Sequence, residues 1–295
     1  MSNHERLHPA RWWDALENHK VKCSLCPREC VIAAGAFGFC SARKNIDGEL
    51  KSIAYGRPVS LQVDPIEKKP LARFLSGTST FSLGTFGCNL NCCFCQNSSI
   101  SRGHYEEAEK QRFFPPDTVV QMALEYKCHS IAFTYNEPTI FAEYAIDIAE
   151  KAHRQGLATV LVSNGYITPG AAADLYPHID AANIDMKGFS EDFYREMCGA
   201  SLQPVLDAIK YFYNLGRHLE ITNLVIPGKN DSVEMIDLWL DWVENNLDKD
   251  IPLHFSAFHP AHKYNASTRT PRETLFRIKT QANSRGFNSV FLGNI

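Results

Sequence analysis

The stretch TFSLGTFGCNLNCCFCQN, residues 80–97, decides the fold. Its first half, Thr80 to Phe86, reads as a β-strand bounded by glycine. Its second half places Cys88, Cys92 and Cys95 at C-x3-C-x2-C spacing directly after that strand. Three thiolates on one short loop can hold three corners of a cubane iron-sulfur cluster. Such clusters ordinarily take four thiolates, so a three-cysteine set leaves one iron open to an outside ligand. The competing assignment is a zinc knuckle, which calls for four ligands in paired spacing. Cys93 would have to be the fourth, and neighbouring cysteines chelate one ion poorly.

Outward from this loop, strand-like runs alternate with helical periodicity. Strands are predicted at 80–86, 130–135, 158–163, 181–186, 219–226, 253–258 and 289–292, and helices at 117–126, 139–153, 204–215, 232–245 and 272–284. Pro115-Pro116-Asp117, Thr168-Pro169 and Thr270-Pro271 mark helix starts, each with a cap or a proline pre-set for the first turn. Strict alternation implies a parallel sheet, and right-handed crossovers put every strand's C-terminal end on one rim. Polar groups collect at those ends: the Cys88 loop, Asn136-Glu137, Ser163-Asn164, Asp185 and Lys187, and His259, as on a barrel-type active face. His259 is placed nearest the rim among His254, His259 and His262 and is the candidate for substrate contact. The expected fold class is α/β, a partial (β/α)6-type TIM barrel over residues 80–295, preceded by a connector at 61–79.

Residues 1–60 look different. A short amphipathic helix is predicted around Trp12 to Leu16, leading into Cys23, Cys26, Cys30 and Cys40. Four thiols on one segment suffice for a structural zinc or for a second iron-sulfur cluster, and spacing alone does not separate them. A small module of this size gains most from a structural metal. Cys128 and Cys198 lie apart and read as buried or incidental thiols. Lys68 and Lys69 read as surface or connector residues.

Composition narrows the setting. The chain has 295 residues, 44% hydrophobic and 21% charged, which matches a globular protein rather than a disordered or fibrous one. A net charge of -3 gives no broad attraction to phosphate backbones or anionic membranes. Met1 to Lys20 lacks the apolar stretch of a signal peptide, and eight of ten cysteines fall in two tight clusters. A reducing, cytoplasmic setting with metal-binding thiols is therefore expected.

The loop Cys88 to Cys95, with an aromatic residue before its last cysteine, resembles the signature of the radical S-adenosylmethionine superfamily. Residues 63–70 (VDPIEKKP), 84–97, Tyr135-Asn136-Glu137-Pro138 and Cys23-x2-Cys26-Pro27-x2-Cys30 together resemble the radical enzyme of the AmmeMemoRadiSam system, similar to pyruvate formate-lyase activating enzymes. The resemblance spans Trp12 to Ile295. It implies a 4Fe-4S cluster on Cys88, Cys92 and Cys95 and reductive cleavage of S-adenosylmethionine to methionine and a 5'-deoxyadenosyl radical that abstracts hydrogen. A flavodoxin or ferredoxin-type donor is implied, as is a protein substrate such as a glycyl radical enzyme.

For cofactor binding the resemblance points to Asn136 and Glu137, where the superfamily usually has glycines, with Glu137 receiving the cofactor ammonium or, alternatively, complementing a helix N-terminus. It points also to Ser163 and Asn164 at the ribose, Asp185 and Lys187 at the carboxylate, and Ile226 against adenine. Similar family members often continue beyond the equivalent of Gly293-Asn294-Ile295 into a cysteine-bearing tail. Three alternatives stand beside this reading: radical modification of another protein or a small molecule, radical chemistry on RNA, and a non-catalytic zinc-stapled binding protein.

Overall fold

The computed structural model describes residues 7–102 and 112–295. Six short strands build the N-terminal module: β1 (His8–Pro9), β2 (Trp13–Ala15), β3 (Val21–Cys23), β4 (Val31–Ile32), β5 (Arg43–Ile46) and β6 (Glu49–Ser52). They form two antiparallel three-stranded sheets, ordered β1-β6-β5 and β2-β3-β4. The helix predicted around Trp12 to Leu16 is replaced by β2. Trp12 sits at φ 56°, outside the right-handed helical region, and Trp13 to Ala15 pair with Cys23 to Val21. Both indoles are claimed by partners that a helix would not reach: Trp12 Nε1 donates to Asp174 at 2.8 Å and Trp13 Nε1 to the Ala10 carbonyl at 2.9 Å.

The module is fastened to the rest of the chain by buried polar contacts. Arg43 forms an ion pair with Glu143, and both side chains are 1% exposed. The Arg11 amide also donates to Glu143, at 2.8 Å, and Thr168 Oγ1 donates to the Ser24 carbonyl at 2.7 Å. A buried pair is weak evidence of net stabilisation, yet removing one partner strands a charge at a cost of about 3–5 kcal/mol. The docking geometry is thereby specified.

The remaining strands form one eight-stranded sheet in sequence order: β7 (Ser60–Pro65), β8 (Ser79–Gly84), β9 (Ser130–Phe133), β10 (Ala158–Ser163), β11 (Ala181–Asp185), β12 (His218–Val225), β13 (Leu253–Ala257) and β14 (Val290–Gly293). Strands β8 to β14 are parallel, one more than a six-stranded barrel, and β7 is antiparallel to β8 at the edge. Helices Pro116–Glu125, Ala142–Arg154, Pro169–Leu175, Gln203–Asn214, Val233–Asn246 and Arg272–Ser284 supply the crossovers. Their inner faces bury Tyr144, Ile148, Ile209, Phe212, Trp239 and Leu275. Each such side chain contributes about 1.5–3 kcal/mol of apolar burial. The result is a partial barrel with its C-terminal strand ends on one rim.

Residues 61–79 do more than connect. They supply edge strand β7, the 3-10 turn Ile66–Lys68 and a segment that closes the opposite end of the lumen. There Asn183 donates to the Pro70 carbonyl at 2.7 Å, and Glu220 accepts from the Ala72 and Arg73 amides at 2.9 and 2.8 Å. Pro65 ends β7, a position tolerated because the strand lies at the sheet edge. Among the described residues no helix is long and apolar enough to cross a membrane.

Candidate active site

The rim opens into a cavity of about 510 Å³ lined by Cys88, Cys92 and Cys95. All three are free thiols. The loop that carries them is stitched in place from both sides. Asn136 accepts from the Thr85 amide at 3.0 Å and donates to the Gly87 carbonyl at 3.0 Å. Asn89 donates to the Tyr166 carbonyl at 2.6 Å and accepts from Asn164 Nδ2 at 2.9 Å. Opposite them, the Asn91 and Cys93 amides donate to the carbonyls of Cys198 and Met197 at 2.8 and 2.9 Å. Gly87 is required for this path: its φ is +89°, and a Cβ there would meet the Cys40 carbonyl at 2.1 Å.

Cys93 is set apart from its neighbours. It faces the Met197 sulfur at 3.9 Å and does not line the cavity, so the cavity face carries three thiols. Cys198, read from sequence as a buried or incidental thiol, is buried and also contacts Cys92. Its hydrogen bond, with burial second, pushes the Cys92 thiol well up; burial, then the Glu137 charge, pushes up Cys88. Such thiols stay protonated until a metal claims them. Among the described residues no three Cys, His, Asp or Glu side chains converge at the spacing of a single bound ion. A cubane needs no such convergence, because each thiolate binds a different iron. Three separated thiols facing one cavity suit a cluster with one open corner.

The other predicted residues divide into two groups. Asp185 and Lys187 line the cavity as an ion pair at 2.7 Å. Burial works against the Lys187 charge, but Asp185 and Cys92 outweigh it and hold its pKa well above the usual value. Asn136, Glu137, Ser163 and Asn164 also line the cavity, yet their polar atoms are largely engaged within the protein. Glu137 Oε1 accepts from the Thr139 amide at 2.9 Å and from Ser163 Oγ at 2.7 Å, and its Oε2 accepts from the Asn164 amide at 2.8 Å. It caps the turn Pro138–Phe141 and braces the end of β10. Burial raises its pKa despite these three donors.

Ile226 and His259 do not reach the cavity. Leu224, inward-facing on β12, lines it, whereas Ile226 lies past the strand end, fully buried, with its amide donating to Asn230 at 2.6 Å. His259 is half-buried beyond the end of β13, and Ser256 of that strand lines the cavity in its place.

Three wall residues, Asp64, Lys69 and Tyr135, were missed as site candidates. Lys69, read as a surface residue, is 3% exposed, lines the cavity and pairs with Asp64 at 2.7 Å. Its amine sits 4.4 Å from the ring centroid of Tyr135, whose hydroxyl donates to Asp64 at 2.6 Å. Lys68, with a side chain 70% exposed, also borders the cavity and pairs with Asp64 at 3.2 Å. Tyr135 has φ +70°, an outlier for a bulky side chain and a mark of a functional or strained position. The VDPIEKKP run was the available signal, but nothing in it says which lysine turns inward.

A parallel partial barrel that gathers three free thiols, a buried ammonium and a carboxylate around one rim cavity defines a cofactor-dependent α/β enzyme of the thiolate-cluster class. The family model described as the radical SAM superfamily matches residues 82–240, more than half of the chain, and the chain belongs to that superfamily. It is 39% identical over 98% of its length to an uncharacterized protein of Methanocaldococcus jannaschii, covering 86% of that protein. It is 24% identical to the pyruvate formate-lyase-activating enzyme of Clostridium pasteurianum, over 61% of this chain and 77% of that one. The crystal structure of Streptococcus suis SuiB bound to precursor peptide SuiA matches with a TM-score of 0.55 at 16% identity, covering 71% of this chain and 47% of that one. At that identity the match concerns the fold. The family implies a 4Fe-4S cluster and S-adenosylmethionine, and the three rim thiols fit the first.

Proposed function

We propose that this protein generates a radical on a protein or peptide substrate, in the manner of the activating enzymes it resembles, with a glycyl radical enzyme as the target and a flavodoxin or ferredoxin-type donor as reductant. The carrying observation is that Cys88, Cys92 and Cys95 line one cavity together with Lys187. When bound, the cluster supplies the electron that splits S-adenosylmethionine into methionine and a 5'-deoxyadenosyl radical. The chain's own residues hold and shield. Lys187, kept charged by Asp185, offers an ammonium to the cofactor carboxylate.

Ser163 and Asn164 are assigned to the cofactor ribose, a reading supported by their place on the cavity wall, and Glu137, which accepts from Ser163 Oγ and the Asn164 amide, is assigned to holding them rather than to the cofactor ammonium. Asn136 and Asn89 hold the cysteine loop. Phe94 and Leu90 line the cavity with apolar surface that excludes water. The Asp64–Lys69–Tyr135 group forms the wall nearest β7 and is assigned to the substrate side.

The test uses anaerobically reconstituted protein with S-adenosylmethionine, dithionite and a glycine-containing peptide from a glycyl radical enzyme, deuterated at the glycine α-carbon. Deuterium in the recovered 5'-deoxyadenosine supports the proposal. Unlabelled 5'-deoxyadenosine at saturating peptide contradicts the choice of substrate.

A further inference from the structure

The four N-terminal cysteines come from separate parts of the module. Cys23 ends β3, Cys26 and Cys30 lie on the following loop, and Cys40 precedes β5. The fold brings all four to the wall of one small pocket. The loop is set by backbone bonds from the Cys23 amide to the Cys30 carbonyl at 2.9 Å and from the Glu29 amide to the Cys26 carbonyl at 3.1 Å. None of the four is in a disulfide. Zinc would require four sulfurs about 2.3 Å from one point, and among the described residues no three such donors converge on a point. In this the quartet behaves like the rim trio, which belongs to a cluster-binding family.

The pocket is also joined to the rim. Its far wall is Asn89 and Ile140 of the barrel, and Asn89 is the residue next to Cys88. The Cys40 carbonyl occupies the space a side chain at position 87 would need. Arg28, over the Phe39 ring, donates to the carbonyls of Asn89 and Gly199. The pocket is built mainly from the module, and Asn89 of the other site's cysteine loop completes its wall.

We propose that Cys23, Cys26, Cys30 and Cys40 bind a second iron-sulfur cluster that passes electrons to the cluster on Cys88, Cys92 and Cys95. One electron enters from a low-potential carrier protein, or from dithionite in vitro, reduces the N-terminal cluster and moves on to the rim cluster, with no atom or proton transferred. Only the destination of the electron rests on the function proposed above.

The test is a variant carrying Cys88→Ser, Cys92→Ser and Cys95→Ser, reconstituted anaerobically with iron and sulfide and analysed for iron, sulfide and zinc. About four iron and four sulfide per chain, with an electron paramagnetic resonance signal after dithionite, are expected. Zinc in place of iron, or no metal in a chain that keeps its native circular dichroism, would overturn the proposal. In the Cys26→Ser variant with an intact rim, reduction of the rim cluster by reduced flavodoxin should slow at least tenfold; an unchanged rate sinks the relay. If the triple variant holds iron while the parent protein makes no 5'-deoxyadenosine, the inference survives and the proposed function fails. Iron at the rim alone gives the reverse.

Discussion

Replacing Asp64 with asparagine removes the countercharge from a lysine that is 3% exposed. Burial works to raise the Asp64 pKa, but hydrogen bonds from Lys69 and Tyr135, with the Lys69 charge, hold it well below the usual carboxylate range. Lys69 moves downward, chiefly through burial, with Asp64 opposing. Deleting one member of a buried pair costs about 3–5 kcal/mol. Lys68, the remaining partner, is mostly solvent-exposed and contributes little. Asp64→Asn is therefore expected to lose about 3–5 kcal/mol in anaerobic urea unfolding at neutral pH.

The pH dependence carries the sign. In the parent chain the Asp64 contribution is complete above its unfolded value of about 4 and is lost as pH falls toward its depressed folded value. In Asp64→Asn the Lys69 pKa falls further, so the unfolded chain binds the extra proton and stability climbs as pH rises toward about 10. Adding Lys69→Met to Asp64→Asn should recover most of the loss, because no charge is then stranded. A loss under about 1 kcal/mol, or a loss the second substitution does not relieve, would refute the reasoning.

Glu220→Gln probes the closed end of the lumen. Burial pushes the Glu220 pKa up, but hydrogen bonds from His218, His254 and the Ala72 and Arg73 amides hold it at about 2. The parent should lose about 3 kcal/mol as pH falls from the ordinary glutamate value toward that figure, and the variant's acid limb in urea unfolding should be flatter. Gly87→Ala must adopt a left-handed backbone and collide with the Cys40 carbonyl. The module should undock and become protease-sensitive, and proteolysis at the parent's rate would contradict the packing. Lys187→Met should weaken S-adenosylmethionine binding by roughly tenfold or more in calorimetry, the worth of a charge-assisted hydrogen bond, while leaving iron content unchanged.

Much of the architecture was legible because each strand end is punctuated. The alternation of strands and proline-started helices located β8 to β14 within one or two residues, and the spacing of Cys88, Cys92 and Cys95 located the rim site. What escaped was set by tertiary contact. Trp12 and Trp13 carry a helical pattern but are taken by Asp174 and the Ala10 carbonyl. Lys69 looks like its neighbour Lys68 in sequence, and only the turn Ile66–Lys68 buries the first while leaving the second largely exposed at the cavity edge. Ile226 shares the parity of Thr222 and Leu224, but β12 ends at Val225 and the chain turns into the core. Cys198 sits more than a hundred residues from every clustered cysteine and meets Cys92 where the Met197 and Cys198 carbonyls receive the loop's amides.

The most direct measurement of the central claim is the yield of 5'-deoxyadenosine from S-adenosylmethionine and dithionite, using reconstituted protein beside a Cys92→Ala control. The account predicts product from the parent chain and none from the control. A parent protein that binds zinc, takes up no iron at the rim and forms no 5'-deoxyadenosine would contradict it.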